Sequence, residues 1–514
     1  MKDEEIEEFK NGDELFENPV SWIIIILVLI ATFLLIYSPH FSYPYPLHAD
    51  EWFHLELAKR LVSGEYDFSR YISYPFAYNL ISLMIFIFNQ PVLIYKFLPA
   101  LFAVLSSLFL FLLMYRLTKN FFIAIFSMIF FASLPSDVNL MGLWFATPFS
   151  LSLAFIPLSL LLFIKTLEIP TTKKLIILTT LILLITAFIH SSTTAFLFLI
   201  IIIYGLFNYK KIKLNPFLLV ILFPAILYFF LRLSQVSNYT FTEILLHFQK
   251  VLTFTYPSSI LQPSLTQNPI NFSFLGINFI VSQYFLPVLY GIIPFLLALY
   301  GLYFAIKEGK LRIFVIWLLT SLFLLFIYNI TEISLFARRQ HVIYYSLLSL
   351  VPLSAIGLYM IIKKINQKID LSFVNNKEII KKLVVGAIII FVLVTTFYNY
   401  GKQRQGTELY YLIDDYSDFQ ALTFLSTQEK GMVVAPLREA MAVYLIAGKD
   451  VFTKFHPQVE VDKERVENFF SSDCEEKKKL IETYKIKYVY SKFPISCDFL
   501  EEIYSEKERY IYKV

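Results

Sequence analysis

Long apolar runs separated by short charged breaks make up most of this chain. A membrane-spanning helix needs about 20 mostly apolar residues. Eleven runs meet that need, at 20–37, 93–115, 121–135, 144–165, 174–190, 193–208, 215–231, 284–306, 311–330, 342–362 and 379–398. A twelfth run, Tyr74–Phe88, is short and opens on Tyr74-Pro75. It predicts a helix lying in or dipping into the membrane interface rather than crossing it. After Tyr400 the apolar share drops and charge rises. There Met432–Pro436 and Ile486–Ser491 read as short strands, Arg438–Ala447 and Cys474–Tyr484 as helices, and Tyr510–Val514 as a last strand. The pattern predicts a polytopic α-helical membrane protein with about eleven spanning helices, juxtamembrane helices in its first outer loop, and a small C-terminal soluble α/β domain. The expected divisions are an N-terminal tail at 1–19, a transmembrane domain at 20–400 and an outer domain at 401–514. Within the transmembrane domain the first outer loop is 38–91 and a long outer loop is 232–283.

Charge fixes the direction of threading. With the N-terminus inside and Tyr74–Phe88 not spanning, the inner loops carry Arg116 and Lys119, Lys165 with Lys173 and Lys174, Lys210 to Lys213, Lys307 to Arg312, and the cluster Lys363 to Lys382. The outer loops carry far fewer basic residues, as the positive-inside tendency requires. Making Tyr74–Phe88 a span would put every later cluster outside. The N-terminus is therefore expected in the cytoplasm, and the first loop and the tail outside. The sequons at Asn238, Asn271 and Asn329 fall outside in the same threading. The N-terminus is acidic and lacks the basic flank and cleavage site of a signal peptide, so Val20–Tyr37 reads as a retained helix.

Composition agrees: of 514 residues 57% are hydrophobic and 18% aromatic, far above soluble domains. The net charge is only +4 and no basic stripe is present, so nothing points to a nucleic-acid partner. The two cysteines, Cys474 and Cys497, both lie in the tail. They are a pair in an oxidising exterior, or two free or buried thiols. No internal repeat of the kind found in many transporters is present, and the tail has no phosphate-binding loop.

The stretch Leu47–Arg70 is the first polar segment after the first apolar run, and it places His48, Asp50, Glu51, His54 and Glu56 at a membrane edge. Ionisable side chains beside hydrocarbon are costly, so such a cluster is a functional-site candidate by default. Asp50 opens a helical pattern with Phe53, Leu57 and Leu61 on one side, which puts Asp50 and His54 one turn apart on one face. A purely structural role is open as well, with Asp50 as N-cap and Glu51 in the first turn. His48, Asp50 and His54 are also candidate ligands for a divalent cation, with a spacing diagnostic of no single metal.

The segment D-E-x-x-x-x-x-x-A-K-R-L-x-S-G-E-Y, from Asp50 to Tyr66, resembles the first outer loop of GT-C superfamily membrane glycosyltransferases. Lipid A aminoarabinose transferases and protein O-mannosyltransferases are the nearest in pattern. The turn Ser63-Gly64-Glu65-Tyr66, the juxtamembrane start Tyr74-Pro75-Phe76, Phe88-Asn89, Leu98-Pro99-Ala100 and Arg116-Leu117 extend the likeness over about 20–210. The resemblance implies sugar transfer, with inversion, from a polyprenyl- or dolichyl-phosphate donor to a protein, lipid or cell-envelope glycan. It assigns the acceptor-side acid to Asp50, with Glu51 beside it, acting as general base or through a metal. The leaving phosphate then needs cations or donors near the outer face. The candidates are His190 in I-H-S-S-T-T, the pair Arg338 and Arg339 in F-A-R-R-Q-H with His341, and Lys96 in Y-K-F-L-P. Helix packing, lipid-headgroup anchoring and snorkelling are their respective structural roles. Tyr71, Tyr74 and Tyr78 are aromatic surfaces on which a sugar face could stack.

The departures are specific. Where many relatives carry a second acid in the short second outer loop, this chain reads Ala146-Thr147-Pro148-Phe149, and Asp137 is the nearest acid. The Glu-Lys pair that aminoarabinose transferases carry before the juxtamembrane proline is Ser73-Tyr74 here. The tail has no W-W-D-x-G-like motif, which argues against an oligosaccharyltransferase. Two other readings therefore stand beside the enzyme: a polytopic transporter or lipid flippase, and a GT-C-like scaffold without activity.

Overall fold

The structure is a computed structural model. It describes residues 18–65, 76–85, 91–137, 140–168, 173–208, 253–254, 270–274, 277–281, 286–331, 334–335, 337–368, 377–403, 411–452 and 461–514. Helix α1 spans Pro19–Tyr37, starting where the Asn18 side chain accepts from the Val20 N–H and Pro19 takes the first helical position. Three shorter helices follow, α2 (Ala49–Val62), α3 (Phe76–Ile85) and α4 (Pro91–Tyr95). Next come α5 (Leu98–Thr118), α6 (Phe121–Ala132), α7 (Pro148–Glu168), α8 (Lys173–Ile189) and α9 (Ser191–Phe207). The series resumes with α10 (Leu286–Tyr290), α11 (Ile292–Lys307), α12 (Arg312–Thr331), α13 (Arg339–Lys368) and α14 (Lys377–Gln403).

Ten of the eleven apolar runs are thus helical, and the run at 215–231 lies outside the described residues. Five stretches among the described residues are long and apolar enough to cross a membrane, Pro19–Phe41, Pro91–Thr118, Pro148–Glu168, Arg312–Ile330 and Arg339–Gln367. The chain is an integral membrane protein. Two runs are interrupted for local reasons. The 93–115 run breaks at Lys96-Phe97, because Pro99 has no N–H to continue a helix from α4. The 284–306 run breaks at Gly291, whose φ of 95° suits glycine alone. Helix α3 has 10 residues. At about 15 Å it is half the length a crossing requires. Of the long loop at 232–283, only β1 (Thr253–Phe254), β2 (Ile270–Phe274) and β3 (Ile277–Val281) are described. Asn271 is in β2, Asn238 lies outside the described residues, and Asn329 stands in the last turn of α12 rather than in a loop.

The chain divides into two compact units. The first comprises Met1–Ser38, Pro99–Trp144 and Pro148–Arg404. Inside it α11 and α13 pack at the closest range backbone allows. A Cβ on Gly301 would collide with the Leu353 carbonyl, and one on Gly357 with the Leu297 carbonyl. Ser354 Oγ donates across the same seam to the Pro294 carbonyl at 2.8 Å. Small residues and hydroxyls are what joins helices in lipid, where burial of apolar surface drives nothing. Hydroxyl pairs join α7 to α8 through Thr166 and Thr179 (3.0 Å), and α7 to α9 through Ser152 and Thr193 (2.7 Å). A strand pair of β1 with β4 (Ser334–Leu335) belongs to this unit too.

The second unit joins Pro39–Leu98, Phe145–Thr147 and Gln405–Val514. Its tail contains α15 (Tyr416–Thr427), β5 (Met432–Val434), β6 (Asp450–Val451), α16 (Val461–Ser471), α17 (Cys474–Tyr484), β7 (Ile486–Ser491), β8 (Glu501–Glu506) and β9 (Arg509–Lys513). The sheet order is β6-β5-β7-β9-β8, with β5 parallel to both neighbours and β9 antiparallel to both of its own. Val434, Phe469, Ile481, Ile486, Val489 and Tyr512 form its core. Cys474 and Cys497 are disulfide-bonded, with Cα atoms 5.6 Å apart. The expected helix at Arg438–Ala447 is instead one α-turn, Ala440–Ala442, running into a π-turn, Val443–Ala447, closed by Gly448 at φ 66°.

Candidate functional site

The second unit holds the first-loop acids. Pro44 and Pro46 keep the chain extended up to α2, and the Trp52 indole donates back to the Pro46 carbonyl at 3.1 Å. His48, not Asp50, is the N-cap of α2, its Nδ1 accepting from the Asp50 N–H at 3.1 Å. The N-cap reading of Asp50 is therefore corrected; Asp50 falls two positions inside the helix.

Glu51 completes the helix start from the opposite direction. Its Oε2 accepts from the N–H groups of Leu47 (2.7 Å) and His48 (2.9 Å), and its Oε1 accepts from the Ala146 N–H at 2.7 Å. The carboxyl is wholly buried, and burial pushes its pKa up to about 7 against the downward pull of those donors. The Ala146-Thr147 stretch, where an acid was missing from the pattern, thus contributes a backbone donor to the first-loop acid. Asp50 differs: 43% of its side chain is exposed, and its Oδ1 lies 3.9 Å from His48 Nδ1. Two adjacent carboxylates therefore have separate uses, one inside holding the loop and one facing out.

His54, one turn on from Asp50, is within electrostatic reach of it. Its Nδ1 lies 3.0 Å from Asn79 Oδ1 of α3 in a buried contact, and burial lowers the imidazole to about pKa 4. Burial likewise lowers His48. Among the described residues no three His, Cys, Asp or Glu side chains come together as a metal site. Of the trio His48, Asp50 and His54, both histidines use Nδ1 within the protein, His48 on the Asp50 N–H and His54 on Asn79. Farther along α2, buried Arg60 is paired with Glu56 (2.6 Å) and with Glu65, and its guanidinium lies 4.3 Å over the Tyr444 ring. The Tyr444 hydroxyl donates to Glu65 at 2.7 Å, and Lys59 donates to the Tyr444 and Leu445 carbonyls of the π-turn. Lys96 is in this unit as well, 5.2 Å over Phe97 and within electrostatic reach of His40.

The first unit holds the second group. His190 caps α9, with Nδ1 2.8 Å from Thr193 Oγ1, and Thr193 Oγ1 in turn lies 2.8 Å from the Tyr345 hydroxyl. The His190 and His341 rings meet edge-on at 4.9 Å, and Phe149 stacks on His341 at 4.2 Å. His341 Nδ1 is buried without a hydrogen-bond partner among the described residues. Arg338 is half-buried and within electrostatic reach of both imidazoles. Two of the sequence candidates for phosphate, His190 and Arg338, are thus brought together with His341. Arg339 faces elsewhere, 5.0 Å over the Tyr328 ring. Asp137 caps its own turn, accepting from the Leu140 N–H at 2.8 Å. Tyr71 and Tyr74 lie outside the described residues, and Tyr78 is in α3. Sequence reasoning missed Phe149, Asn79 and Tyr444. Only Phe149 had a visible signal, its place beside the second-loop Ala146-Thr147-Pro148.

No protein-family model matches this chain, and no functionally characterised protein matches it in sequence. Solved structures match over nearly the whole chain. The archaeal oligosaccharyltransferase AglB from Archaeoglobus fulgidus, in complex with an inhibitory peptide and a dolichol-phosphate, aligns with TM-score 0.57 and 12% identity, over 92% of this chain and 69% of that one. ArnT from Cupriavidus metallidurans, bound to undecaprenyl phosphate, aligns with TM-score 0.52 and 12% identity, over 96% of this chain and 98% of that one. Both are GT-C glycosyltransferases, and this chain has the GT-C fold.

Proposed function

We propose that this protein is a membrane glycosyltransferase that moves a sugar from a polyprenyl-phosphate donor to a protein, lipid or glycan acceptor at the outer membrane face, inverting the anomeric centre. The observation that carries this reading is the division of labour at the start of α2. Glu51 and His48 build the helix start from inside, while Asp50 keeps an outward-facing carboxylate. In the proposed step the acceptor X–H gives its proton to the Asp50 carboxylate as X attacks the anomeric carbon. The bond from that carbon to the lipid-phosphate oxygen breaks, and the phosphate leaves with the electron pair. Arg338 would take the phosphate charge, with His190 and His341 as further polar partners, because a guanidinium presents a planar fork of donors that is always charged. No step is assigned to Glu51, whose oxygens are occupied by backbone N–H groups.

The outer placement of the tail is part of this proposal. It is supported by the basic clusters of the opposite loops and by the Cys474–Cys497 pairing, which suits an oxidising compartment. The dolichol-phosphate and undecaprenyl phosphate bound by the two fold neighbours support the donor class. The missing W-W-D-x-G motif favours a single-sugar donor over an oligosaccharide.

The test is sugar transfer or release by the purified protein from a panel of polyprenyl-phosphate sugars. Wild type and Asp50→Asn are run side by side, each with and without chelator. Wild-type turnover that Asp50→Asn loses while still folded supports the reading, and chelator sensitivity would reassign Asp50 from base to metal ligand. No turnover of any donor by wild type would overturn the reading in favour of a scaffold or transporter.

A further inference from the structure

Helix α13 is one continuous element with different chemistry at its two ends. His341 and Tyr345 lie near its start, and Lys363 lies near its end. At about 1.5 Å per residue the rise from His341 to Lys363 is roughly 33 Å, slightly more than a hydrocarbon core of about 30 Å. The two ends therefore stand in opposite headgroup layers. At the Lys363 end is a cavity of about 420 Å³, walled by Phe122 and Phe126 of α6, Tyr359 and Ile362 of α13, and Val385 and Ile389 of α14. Phe122 is 62% exposed, so this wall continues onto the lipid-facing surface. One end is polar, formed by Lys363, Asn366 and Gln367, and Lys381 of α14 donates to the Asn366 carbonyl at 3.4 Å. Among the described residues no carboxylate lines the cavity.

We propose that this cavity binds an anionic glycerophospholipid, with an acyl chain between α6, α13 and α14 and the phosphate at Lys363 and Lys381. An apolar slot that opens to lipid and ends in two ammonium groups at headgroup depth matches that chemistry and not that of a neutral sugar or a soluble anion. In the topology proposed above, the lipid comes from the cytoplasmic leaflet, the one with the negative surface potential. The site stands independently of the transfer reaction, since its elements are a bilayer thickness from the imidazole cluster. Its role would be to fix α14 against the bundle. That seam has aromatic and aliphatic walls, and the pair of glycines that closes α11 on α13 has no counterpart in it.

The experiment is native mass spectrometry of the full-length protein, stripped with detergent and then offered equal phosphatidylglycerol and phosphatidylcholine of matched chains. Wild type is expected to retain phosphatidylglycerol preferentially, by about fivefold for each lysine engaged. Lys363→Ala with Lys381→Ala should bring the ratio close to one, and Val385→Trp should lower retention of both lipids. An unchanged ratio in the double-lysine variant would overturn the proposal, as would undiminished phosphatidylglycerol retention in a folded Val385→Trp. Should Val385→Trp fail to fold, the lysine variant alone decides, because its substitutions are on the rim.

Discussion

At the residue scale, Asp50 and Glu51 are chain neighbours in opposite surroundings, and their variants should behave differently. Asp50→Asn is expected to cut transfer by about 10²–10⁴-fold with little change in melting. Glu51→Gln places an amide N–H where a backbone donor now points, leaving a buried donor unpaired at a cost of about 1–3 kcal/mol. It should lower the thermal midpoint before it touches chemistry. Glu51 also sets a pH dependence. Its folded pKa of about 7 lies above the ordinary 4.5, so the folded state holds that proton more tightly than the unfolded chain. Its contribution is full below about pH 4.5 and is lost as pH rises through about 7. Denaturant titrations from pH 4 to 8 should show that slope in wild type and a flatter one in Glu51→Gln. The sequence made both acids visible as candidates but did not assign their uses. Spacing cannot tell which carboxylate turns inward when the deciding donor, the Ala146 N–H, comes from 95 residues farther on.

At the element scale, α2 is held by charges along one flank as well as by its cap. Arg60 is buried between Glu56 and Glu65 and lies over Tyr444. Arg60→Ala leaves Glu56 buried without its cation and is expected to cost about 3–5 kcal/mol, whereas Tyr444→Phe removes one hydrogen bond, worth about 1 kcal/mol. Thermal melts of the two variants should differ accordingly. The seam between α11 and α13 is stricter. Gly301→Val has no room to relax, since the obstacle is the Leu353 carbonyl and not a side chain. Its thermal midpoint should fall further than that of Gly386→Val, where a Cβ meets nothing. Helix positions were legible because each apolar run is long and prolines mark their starts, as at Pro148 of α7. Strand β8 was not: Glu501-Glu502-Ile503-Tyr504-Ser505-Glu506 has too few apolar residues to read as a strand, and it is one because β9 pairs with it. The π-turn at Val443–Ala447 has an ordinary helical sequence, and nothing in it announces the looser winding.

At the scale of the whole molecule, the expected order of apolar runs and a polar tail is the order found, but the grouping is not linear in sequence. The first loop shares a compact unit with the last hundred or so residues, a pairing that no local pattern encodes. The tail has its own brace in the Cys474–Cys497 bond, 23 residues apart. Closing such a loop contributes about 3 kcal/mol, so reductant should make the tail more sensitive to protease while leaving the membrane helices intact. The long-range contacts of the first loop also set a clock. The Tyr43 hydroxyl donates to the Ile413 carbonyl, 370 residues later, and Lys59 reaches the Leu445 carbonyl, 386 residues later. A ribosome adding about 5–20 residues per second needs roughly twenty seconds to more than a minute to make that stretch. During that interval α2 has left the ribosome without the partners that cover Arg60 and Tyr43. Newly made chains stalled before residue 411 should therefore carry a first loop that proteases cut and chaperones bind, and release of the finished tail ends that vulnerability.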